Sequence, residues 1–244
     1  MLRLILVLLF LIVFLLISIP VLFVLWLIGL ARPVIKERAS LAIVSWAFRV
    51  IAFLSGVKLS VEGRENVPQN EGVLFIGNHR SYYDIVLAYG LATSPVGFIS
   101  KKQVRLVPVL GLWMKNLHCL FLDRDDLKQG LAVINEAAEL VKQGVSIMIY
   151  PEGTRNKTDS ALLPFHRGSF KIAQKSGCKI IPVTVTRTEE IYEAHRPFIR
   201  KATIRLIYGT PIDTGAMEPA ERRLVDARVH DVIEQTYLEA VKAG

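Results

Sequence analysis

The chain has 244 residues, 52% of them hydrophobic, and a formal net charge of +8, so it is long enough for one sizeable domain. Two cysteines are too few for a disulfide scaffold or a cysteine-rich metal centre, and they indicate free thiols in a reducing compartment. The positive charge suits an anionic partner, and because no basic block is interleaved with aromatic residues, a membrane surface or a phosphate-bearing substrate is favoured over nucleic acid.

The first long apolar run, from Leu4 to Ala31, contains no charged residue and predicts a membrane anchor. As a helix it would be roughly 42 Å long at about 1.5 Å per residue, whereas the hydrocarbon core of a bilayer is about 30 Å thick. It must therefore tilt, kink at Pro20, or enter the membrane without crossing it straight. A cleaved signal peptide is the alternative, but its apolar region is usually about 7–15 residues, and no clear small-residue cleavage site follows this run.

The charged residues around this run predict its orientation. Arg32, Lys36, Arg38 and Arg49 follow the run, whereas Arg3 and the α-amino group precede it. The positive-inside rule then places the rest of the chain on the cytoplasmic face of the cell membrane. A re-entrant helix, which would leave both of its ends on the cytoplasmic side, is the open alternative.

A second apolar segment, Leu41–Leu54, is too short to span a bilayer. Its Trp46 and Arg49 fit a helix that lies in the membrane interface, with these side chains at headgroup level. A buried helix of the soluble part fits nearly as well. We therefore expect residues 1–56 to form a membrane anchor and an interfacial helix, and residues 57–244 to form an α/β domain.

After the anchor, strand-like and helix-like runs alternate, which predicts an α/β fold with a mixed, largely parallel central sheet flanked by helices. The predicted strands are Lys58–Val61, Val73–Ile76, Gly97–Ile99, Leu120–Leu122, Ser146–Ile149, Ile180–Val185 and Thr203–Ile207. The predicted helices are Asp84–Leu91, Val107–Lys115, Leu127–Lys142, Gly168–Ser176 and Pro219–Ala243. Because proline lacks an amide hydrogen, Pro182 predicts that its strand lies at an edge or a bulge of the sheet.

The turn after the second predicted strand carries His79 and Asp84, five positions apart. Asp84 can reach back to one ring nitrogen of His79 and leave the other as a proton acceptor, which is the base and orienting group of a catalytic triad. No obvious nucleophile sits beside the pair, so the substrate would supply its own hydroxyl, although Ser81 leaves an acyl-enzyme open. The alternative is a helix cap followed by an ordinary acidic residue in a first turn.

Further charged segments follow other predicted strands and suit a phosphate or an oxyanion. Gly153 permits a close backbone approach, the Thr154 hydroxyl and the Arg155 guanidinium can surround an oxyanion, and Glu152 can hold a substrate hydroxyl or fix Arg155. Each segment alone also fits a surface salt bridge or a tight turn. The candidate binding residues are Lys101, Arg124, Glu152, Gly153, Thr154 and Arg155.

Together these segments resemble the glycerolipid acyltransferase superfamily, and most closely the 1-acylglycerol-3-phosphate acyltransferases, over about Val57–Asp213. Asn78-His79 with Asp84 is similar to the family's His-x-x-x-x-Asp motif. The other similar segments are Phe121–Arg124, Tyr150–Arg155 and Ile181–Val183, and Ser100–Gln103 resembles the family's lysine segment. Gln103 stands where the family usually has Glu, and Asn156 stands where Ser is common, which bears on the acceptor headgroup.

The resemblance implies a glycerol-3-phosphate acyltransferase-like fold with His79 and Asp84 as catalytic residues. It implies transfer of a fatty acyl group from acyl-CoA or acyl carrier protein to the sn-2 hydroxyl of lysophosphatidic acid, giving phosphatidic acid for phospholipid biosynthesis. Asn78 or nearby backbone amides would bind the oxyanion, and Lys101, Arg124 and Arg155, with the Glu152–Thr154 loop, would hold the acceptor phosphate. No cofactor, metal or nucleic acid is expected, since His118, His166 and His195 show no ligand spacing with His79.

Several alternatives remain open from the residues. The acceptor could be another lysophospholipid, glycerol-3-phosphate or a lyso-aminolipid. A non-catalytic membrane protein that binds anionic lipid is a second class. A hydrolase would need a nucleophile elbow such as Gly-x-Ser-x-Gly, which the sequence lacks.

Overall fold

A computed structural model describes residues 1–123 and 125–243. The helices are α1 (Leu2–Ala31), α2 (Pro33–Ser55), α3 (Tyr83–Leu91), α4 (Leu110–Asn116), α5 (Leu127–Lys142), α6 (Lys171–Ser176), α7 (Pro219–Arg222) and α8 (Val225–Lys242). The strands are β1 (Lys58–Glu62), β2 (Leu74–Gly77), β3 (Val96–Lys101), β4 (Leu120–Leu122), β5 (Ser146–Ile149), β6 (Lys179–Val185), β7 (Thr203–Tyr208) and β8 (Ile212–Asp213). Short 3-10 turns cover Arg64–Asn66, Lys102–Leu106, Arg167–Phe170, Thr188–Glu190 and Glu193–His195.

Within the described residues, the strands form a sheet in the order β1-β7-β6-β2-β5-β3-β4, with β8 also paired to β6. The strands β6, β2, β5, β3 and β4 run parallel to one another, whereas β7 is antiparallel to β6 and parallel to β1. The expected mixed, largely parallel sheet is therefore confirmed. Because the carboxyl ends of parallel strands meet at one edge of a sheet, the turns that follow these strands lie side by side.

Side chains of β2 alternate between the two faces of the sheet, as the period of a strand requires. Leu74 and Ile76 belong to an apolar cluster built with α5, α6 and α8. Phe75 packs instead on a cluster that contains residues of α1, α2, α3 and α4. Both faces of β2 are thus covered, which explains why its sequence reads as a continuous apolar run.

Pro182 was expected at an edge or a bulge of the sheet, and the edge alternative is wrong because β6 is an inner strand. It pairs with Ile76 of β2 on one side. On the other side, β6 pairs with β8 through Ile180 and with β7 from Val183 onward. The Pro182 carbonyl accepts a hydrogen bond from the Gly209 amide at 2.8 Å. The nitrogen of Pro182 therefore lies where β6 changes its partner from β8 to β7, and no ladder hydrogen bond is needed there.

Several helix boundaries differ from the prediction, and proline explains the start of α2 and of α4. α2 begins at Pro33 and not at Leu41, since proline is favoured at the first position of a helix. The helix predicted from Val107 begins at Leu110, because the residue before Pro108 avoids helical dihedrals and Val107 has φ −71° and ψ 115°. The helix predicted at 84–91 begins one residue earlier, at Tyr83. Two other predicted helices are divided: 168–176 into a 3-10 turn and α6, and 219–243 into α7 and α8.

α1 and α2 form a hairpin that turns at Arg32 and lies along the α/β body. At one end, a Cβ on Gly56 would lie 3.0 Å from Nε of Arg3, so the start of α1 and the end of α2 are together. Near the other end, Glu37 Oε1 lies 3.3 Å from His118 Nε2 of the body. Contacts with the rest of the chain thus occur near both ends of the hairpin, and the choice between a spanning and a re-entrant α1 stays a prediction.

The outer surface of the hairpin is apolar. Side chains such as Leu16, Phe23 and Trp26 are more than half exposed, and both helices are long and apolar enough to cross a membrane. This surface indicates membrane association. The expected division of the chain at residue 56 stays a prediction. Contacts join the two parts, since Ser55 Oγ lies 2.6 Å from the Tyr83 hydroxyl oxygen of α3.

Candidate active site

The turn between β2 and α3 holds an imidazole and a carboxylate in contact. His79 Nδ1 lies 2.7 Å from Asp84 Oδ2. Asp84 also accepts hydrogen bonds from the backbone amides of Arg80 and Ser81, both at 2.8 Å, and from the Thr188 hydroxyl. Asp84 is buried, whereas 16% of the His79 side chain is exposed. Because a carboxylate accepts from Nδ1–H, the neutral imidazole keeps a free lone pair on Nε2, as the sequence predicts for a base.

The loop after β5 fixes the backbone of His79. Glu152 Oε1 accepts from the His79 amide at 2.6 Å, and its other oxygen accepts from the Leu163 amide at 3.0 Å. The Asn156 amide donates to the His79 carbonyl at 2.7 Å. Burial raises the pKa of the Glu152 carboxyl, and the amide hydrogen bonds oppose that rise in part. Both oxygens of Glu152 are therefore engaged with backbone amides, and its expected role toward substrate stays a prediction.

Tyr150, the residue between β5 and this loop, covers one face of the His79 imidazole. Its ring stacks on the imidazole of His79 with centroids 4.3 Å apart and planes 14° from parallel. The buried hydroxyl has no hydrogen-bond partner among residues 1–123 and 125–243. Burial first, and then the charge of Asp84, raise the pKa of Tyr150 well above its usual value, so it stays protonated.

Gly77 makes room for this stack at the end of β2. A Cβ there would lie 2.7 Å from the Met148 methyl and 3.2 Å from Cε1 of Tyr150. The sequence-based argument missed the role of Tyr150. The signal was present, because Tyr150 directly follows the buried strand β5 and leads into the loop whose chemistry was predicted.

Arg155 is held by a carboxylate that the sequence argument did not single out. Its Nη1 donates to Glu193 Oε1 at 3.0 Å, and its Nη2 donates to the Tyr82 hydroxyl at 3.1 Å. The guanidinium carbon lies 3.8 Å from the centroid of the Tyr82 ring. Glu193 also accepts from the Ser81 hydroxyl at 2.6 Å and from the Tyr82 amide at 3.0 Å. Glu193 thus joins the turn after β2 to the loop after β5.

Asn78, a candidate oxyanion donor, and Ser81, a candidate nucleophile, both have side chains that are already hydrogen-bonded. Asn78 exchanges hydrogen bonds with both the amide and the carbonyl of Val185, each at 2.8 Å, so its side chain holds β6 and is not available to an oxyanion. Ser81 is fully buried, donates to Glu193 and accepts from the Tyr83 amide at 3.0 Å. A free nucleophile would need an accessible hydroxyl, so Ser81 fits a structural role.

The remaining predicted residues lie at the same edge of the sheet. Gly153 has φ 68°, a left-handed conformation that favours glycine, and the Thr154 that follows is exposed. Lys101 is exposed at the end of β3. His79 follows β2, and Lys101 ends β3. Because β5 lies between these two strands, they are about 10 Å apart. Arg124 lies outside the described residues, and its binding role stays a prediction.

The loop contacts also show what Asn156 does. Its Oδ1 accepts from the Thr158 amide at 2.9 Å, and its Nδ2 donates to the Ser160 carbonyl at 2.9 Å. Asn156 therefore shapes the loop after Arg155. Within the described part of the chain, no cluster of three or more His, Cys, Asp or Glu side chains is placed to hold a metal ion.

The family model described as Acyltransferase matches residues 58–186, which is more than half of the chain and includes His79, Asp84 and the loop after β5. The chain belongs to the acyltransferase family. This assignment confirms the resemblance seen in the sequence motifs. Glu193 lies beyond the matched range.

Named relatives and a solved structure agree with this family. The chain is 34% identical over 157 residues to a chloroplastic 1-acyl-sn-glycerol-3-phosphate acyltransferase of Brassica napus, covering 64% of this chain and 45% of the relative. It is 26% identical over 205 residues to a 1-acyl-sn-glycerol-3-phosphate acyltransferase of Borreliella burgdorferi, covering 84% and 81%. The chain spans less than half the length of the Brassica and Arabidopsis relatives.

The fold matches a crystal structure described as the 1-acyl-sn-glycerophosphate (LPA) acyltransferase PlsC from Thermotoga maritima. The TM-score is 0.79 with 26% sequence identity, and the match covers 99% of this chain and 98% of PlsC. The likeness therefore includes the α1–α2 hairpin as well as the sheet. It confirms the expected fold class of this acyltransferase family member.

Proposed function

We propose that the chain transfers a fatty acyl group from acyl-CoA or acyl carrier protein to the sn-2 hydroxyl of lysophosphatidic acid, giving phosphatidic acid in phospholipid biosynthesis. The observation that carries the proposal is the contact of 2.7 Å between His79 Nδ1 and Asp84 Oδ2, which leaves Nε2 as a proton acceptor at the edge of the sheet. The Brassica, Borreliella and Thermotoga relatives, whose names state this acceptor, support the choice of lysophosphatidic acid.

In the proposed mechanism, His79 Nε2 takes the proton of the acceptor hydroxyl as the hydroxyl oxygen attacks the thioester carbonyl carbon. A new C–O bond forms, the C–S bond breaks, and the thiolate leaves with the proton from the imidazolium. Asp84 fixes the tautomer and stabilises the charged imidazole during the step. The stacked Tyr150 and the bound backbone of His79 limit the motion of the base, which keeps the reacting atoms in position.

We assign the acceptor phosphate to basic side chains, with help from the loop after β5. Arg155, Lys101 and Arg124 supply positive charge, and Gly153 and Thr154 supply a backbone amide and a hydroxyl. Arg155 already has a carboxylate partner in Glu193. The guanidinium has five N–H donors. A phosphate therefore either binds those that Glu193 leaves free or replaces the Glu193 carboxylate.

The hairpin suits an enzyme whose acceptor and product are lipids. Its exposed apolar surface keeps the body at a bilayer, and the net charge of +8 favours anionic headgroups. We place the active site on the cytoplasmic face of the cell membrane, where acyl-CoA and acyl carrier protein are soluble. The positive-inside pattern of the sequence supports this side.

A thiol-release assay with the purified full chain in phospholipid vesicles tests the proposal. Acyl-CoA and acyl carrier protein donors of several chain lengths are offered with lysophosphatidic acid, other lysophospholipids, glycerol-3-phosphate or a lyso-aminolipid. We expect thiol release that requires lysophosphatidic acid and yields phosphatidic acid. Release with a different acceptor alone would contradict the substrate, and vesicle binding without any thiol release would favour a non-catalytic lipid-binding protein.

A further inference from the structure

The segment after β3 exposes apolar side chains among basic ones. Leu106 is 81% exposed, Leu112 is 56% exposed and Val107 is 44% exposed. Residues 101–116 contain four basic residues and no acidic residue, and two of the basic ones, Arg105 and Lys115, flank these apolar positions in sequence. We refer to Arg105, Leu106, Val107, Leu112 and Lys115 as the α4 patch.

The α4 patch is continuous with the hairpin. Trp113, next to Leu112, is buried and stacks on Phe14 of α1, with ring centroids 6.0 Å apart and planes 25° from parallel. α4 also packs against α2. Because α4 carries Leu112 outward and Trp113 inward, the apolar surface of α1 and α2 extends onto the body at the end of β3.

Single exposed leucines are ordinary on protein surfaces and carry no meaning by themselves. Leu224, 63% exposed at the start of α8, is one such residue on the side of the sheet that α5, α6 and α8 cover. The α4 patch differs because two adjacent apolar residues, Leu106 and Val107, lie in a segment whose charged residues are all basic, and because this segment adjoins a membrane-associating surface. Apolar side chains mixed with Lys and Arg are typical of segments that lie in the headgroup layer of an anionic bilayer.

We propose that the α4 patch inserts into the interfacial layer of a phospholipid bilayer that contains anionic lipid, as a second contact beside the α1–α2 hairpin. Leu106, Val107 and Leu112 enter the layer, while Arg105 and Lys115 extend their aliphatic stems along it and keep their charges at the phosphates. This second contact, on the body next to the hairpin, restricts the tilt of the body relative to the bilayer. It also holds the end of β3, and with it Lys101, against the headgroups.

Site-specific nitroxide labelling measures this contact without any catalytic turnover, so its outcome is independent of the proposed function. Leu106→Cys is labelled in the full chain, and Leu224→Cys serves as the matched control because it is also an exposed leucine. Burial raises the pKa of the native Cys119 and Cys178 thiols, which slows their labelling at neutral pH, and the unsubstituted protein gives the background. The proteins are placed in vesicles of phosphatidylcholine and phosphatidylglycerol.

Collisions of the nitroxide with oxygen, which concentrates in lipid, are compared with collisions with a water-soluble nickel chelate. At position 106 we expect oxygen to dominate, and at position 224 we expect the nickel chelate to dominate. Adding Arg105→Glu to the Leu106→Cys protein should move the label toward water. Equal, water-like accessibility at 106 and 224 would overturn the proposal, as would a label at 106 that neither reagent reaches, because protein would then cover the patch.

Discussion

The carboxylate of Glu152 accepts a hydrogen bond of 2.6 Å from the backbone amide of His79. This contact joins the loop after β5 to the turn after β2, so the Glu152 segment holds the base that the His79 segment supplies. Glu152 acts on His79 through the backbone and therefore counts as a positioning residue. Its second bond, to the Leu163 amide, ties the position of the base to the packing of the 152–163 loop.

Glu152→Gln should destabilise the fold and reduce turnover. A glutamine side chain presents an NH2 group to one of the two backbone amides, and leaving a buried amide without an acceptor costs about 1–3 kcal/mol. Urea unfolding in detergent measures the change. Glu139→Gln is the matched control, since that side chain is 62% exposed and should change stability by less than about 0.5 kcal/mol. Equal stability of the two variants would show that the Glu152 contacts are dispensable.

Asp84→Asn should lower kcat strongly while the KM for the acceptor changes little. Asparagine cannot stabilise the imidazolium and can hold the wrong tautomer, a change that costs about 10⁴-fold in a Ser-His-Asp triad. Steady-state thiol release gives both constants. Asp231→Asn, whose side chain is 69% exposed, should behave as the unsubstituted enzyme. If Asp84→Asn kept its kcat and raised only KM, Asp84 would be a binding group.

Tyr150→Phe and Tyr150→Leu separate the ring of Tyr150 from its hydroxyl. Phenylalanine keeps the stack on His79 and removes a buried hydroxyl that has no partner in the described part of the chain, so activity should be retained and stability unchanged or higher. Leucine removes the aromatic ring that stacks on His79, so the rate should fall. Misplacing a catalytic group by about 1 Å can cost about 100-fold in rate. A large loss in the phenylalanine variant would instead assign the hydroxyl to the reaction.

Arg155→Lys should raise the KM for lysophosphatidic acid by about 10- to 100-fold, with little effect on the acyl donor. Lysine cannot reproduce both the stack on Tyr82 and the hydrogen bonds of the guanidinium, and a hydrogen bond to a charged group is worth about 1.5–3 kcal/mol. Varying each substrate at saturation of the other measures the split. Glu193→Gln should follow the same direction because it loosens Arg155. An effect confined to donor chain length would contradict this assignment.

The central strands were predictable because each is a short apolar run bounded by turns, and burial on both sides of a parallel sheet selects such runs. β8 was missed since two residues, Ile212 and Asp213, carry no periodic signal. The place of Pro182 depends on where β7 ends and β8 begins along β6, which is a tertiary relation that local sequence does not contain. The return of α1 to the body likewise depends on packing against α2 and α4.

The site was predictable where residues are close in sequence. His79 and Asp84 are five positions apart, in the turn after β2 and the first turn of α3, so their contact follows from local geometry. Glu193 was not found because it is more than one hundred positions from Ser81 and Tyr82, which it binds. The same holds for Asn78, whose partner Val185 lies on a neighbouring strand. A motif shows which polar groups are present, but only the fold shows which of them are already occupied.

The most direct test of the account measures whether Nε2 of His79 takes the acceptor proton. Purified His79→Ala in vesicles is compared with the unsubstituted chain for thiol release from acyl-CoA, with and without lysophosphatidic acid. Loss of a general base should lower acceptor-dependent release by about 10²- to 10⁴-fold, while the thermal unfolding temperature stays close to that of the unsubstituted chain. Undiminished release of thiol by a folded His79→Ala protein would contradict the account.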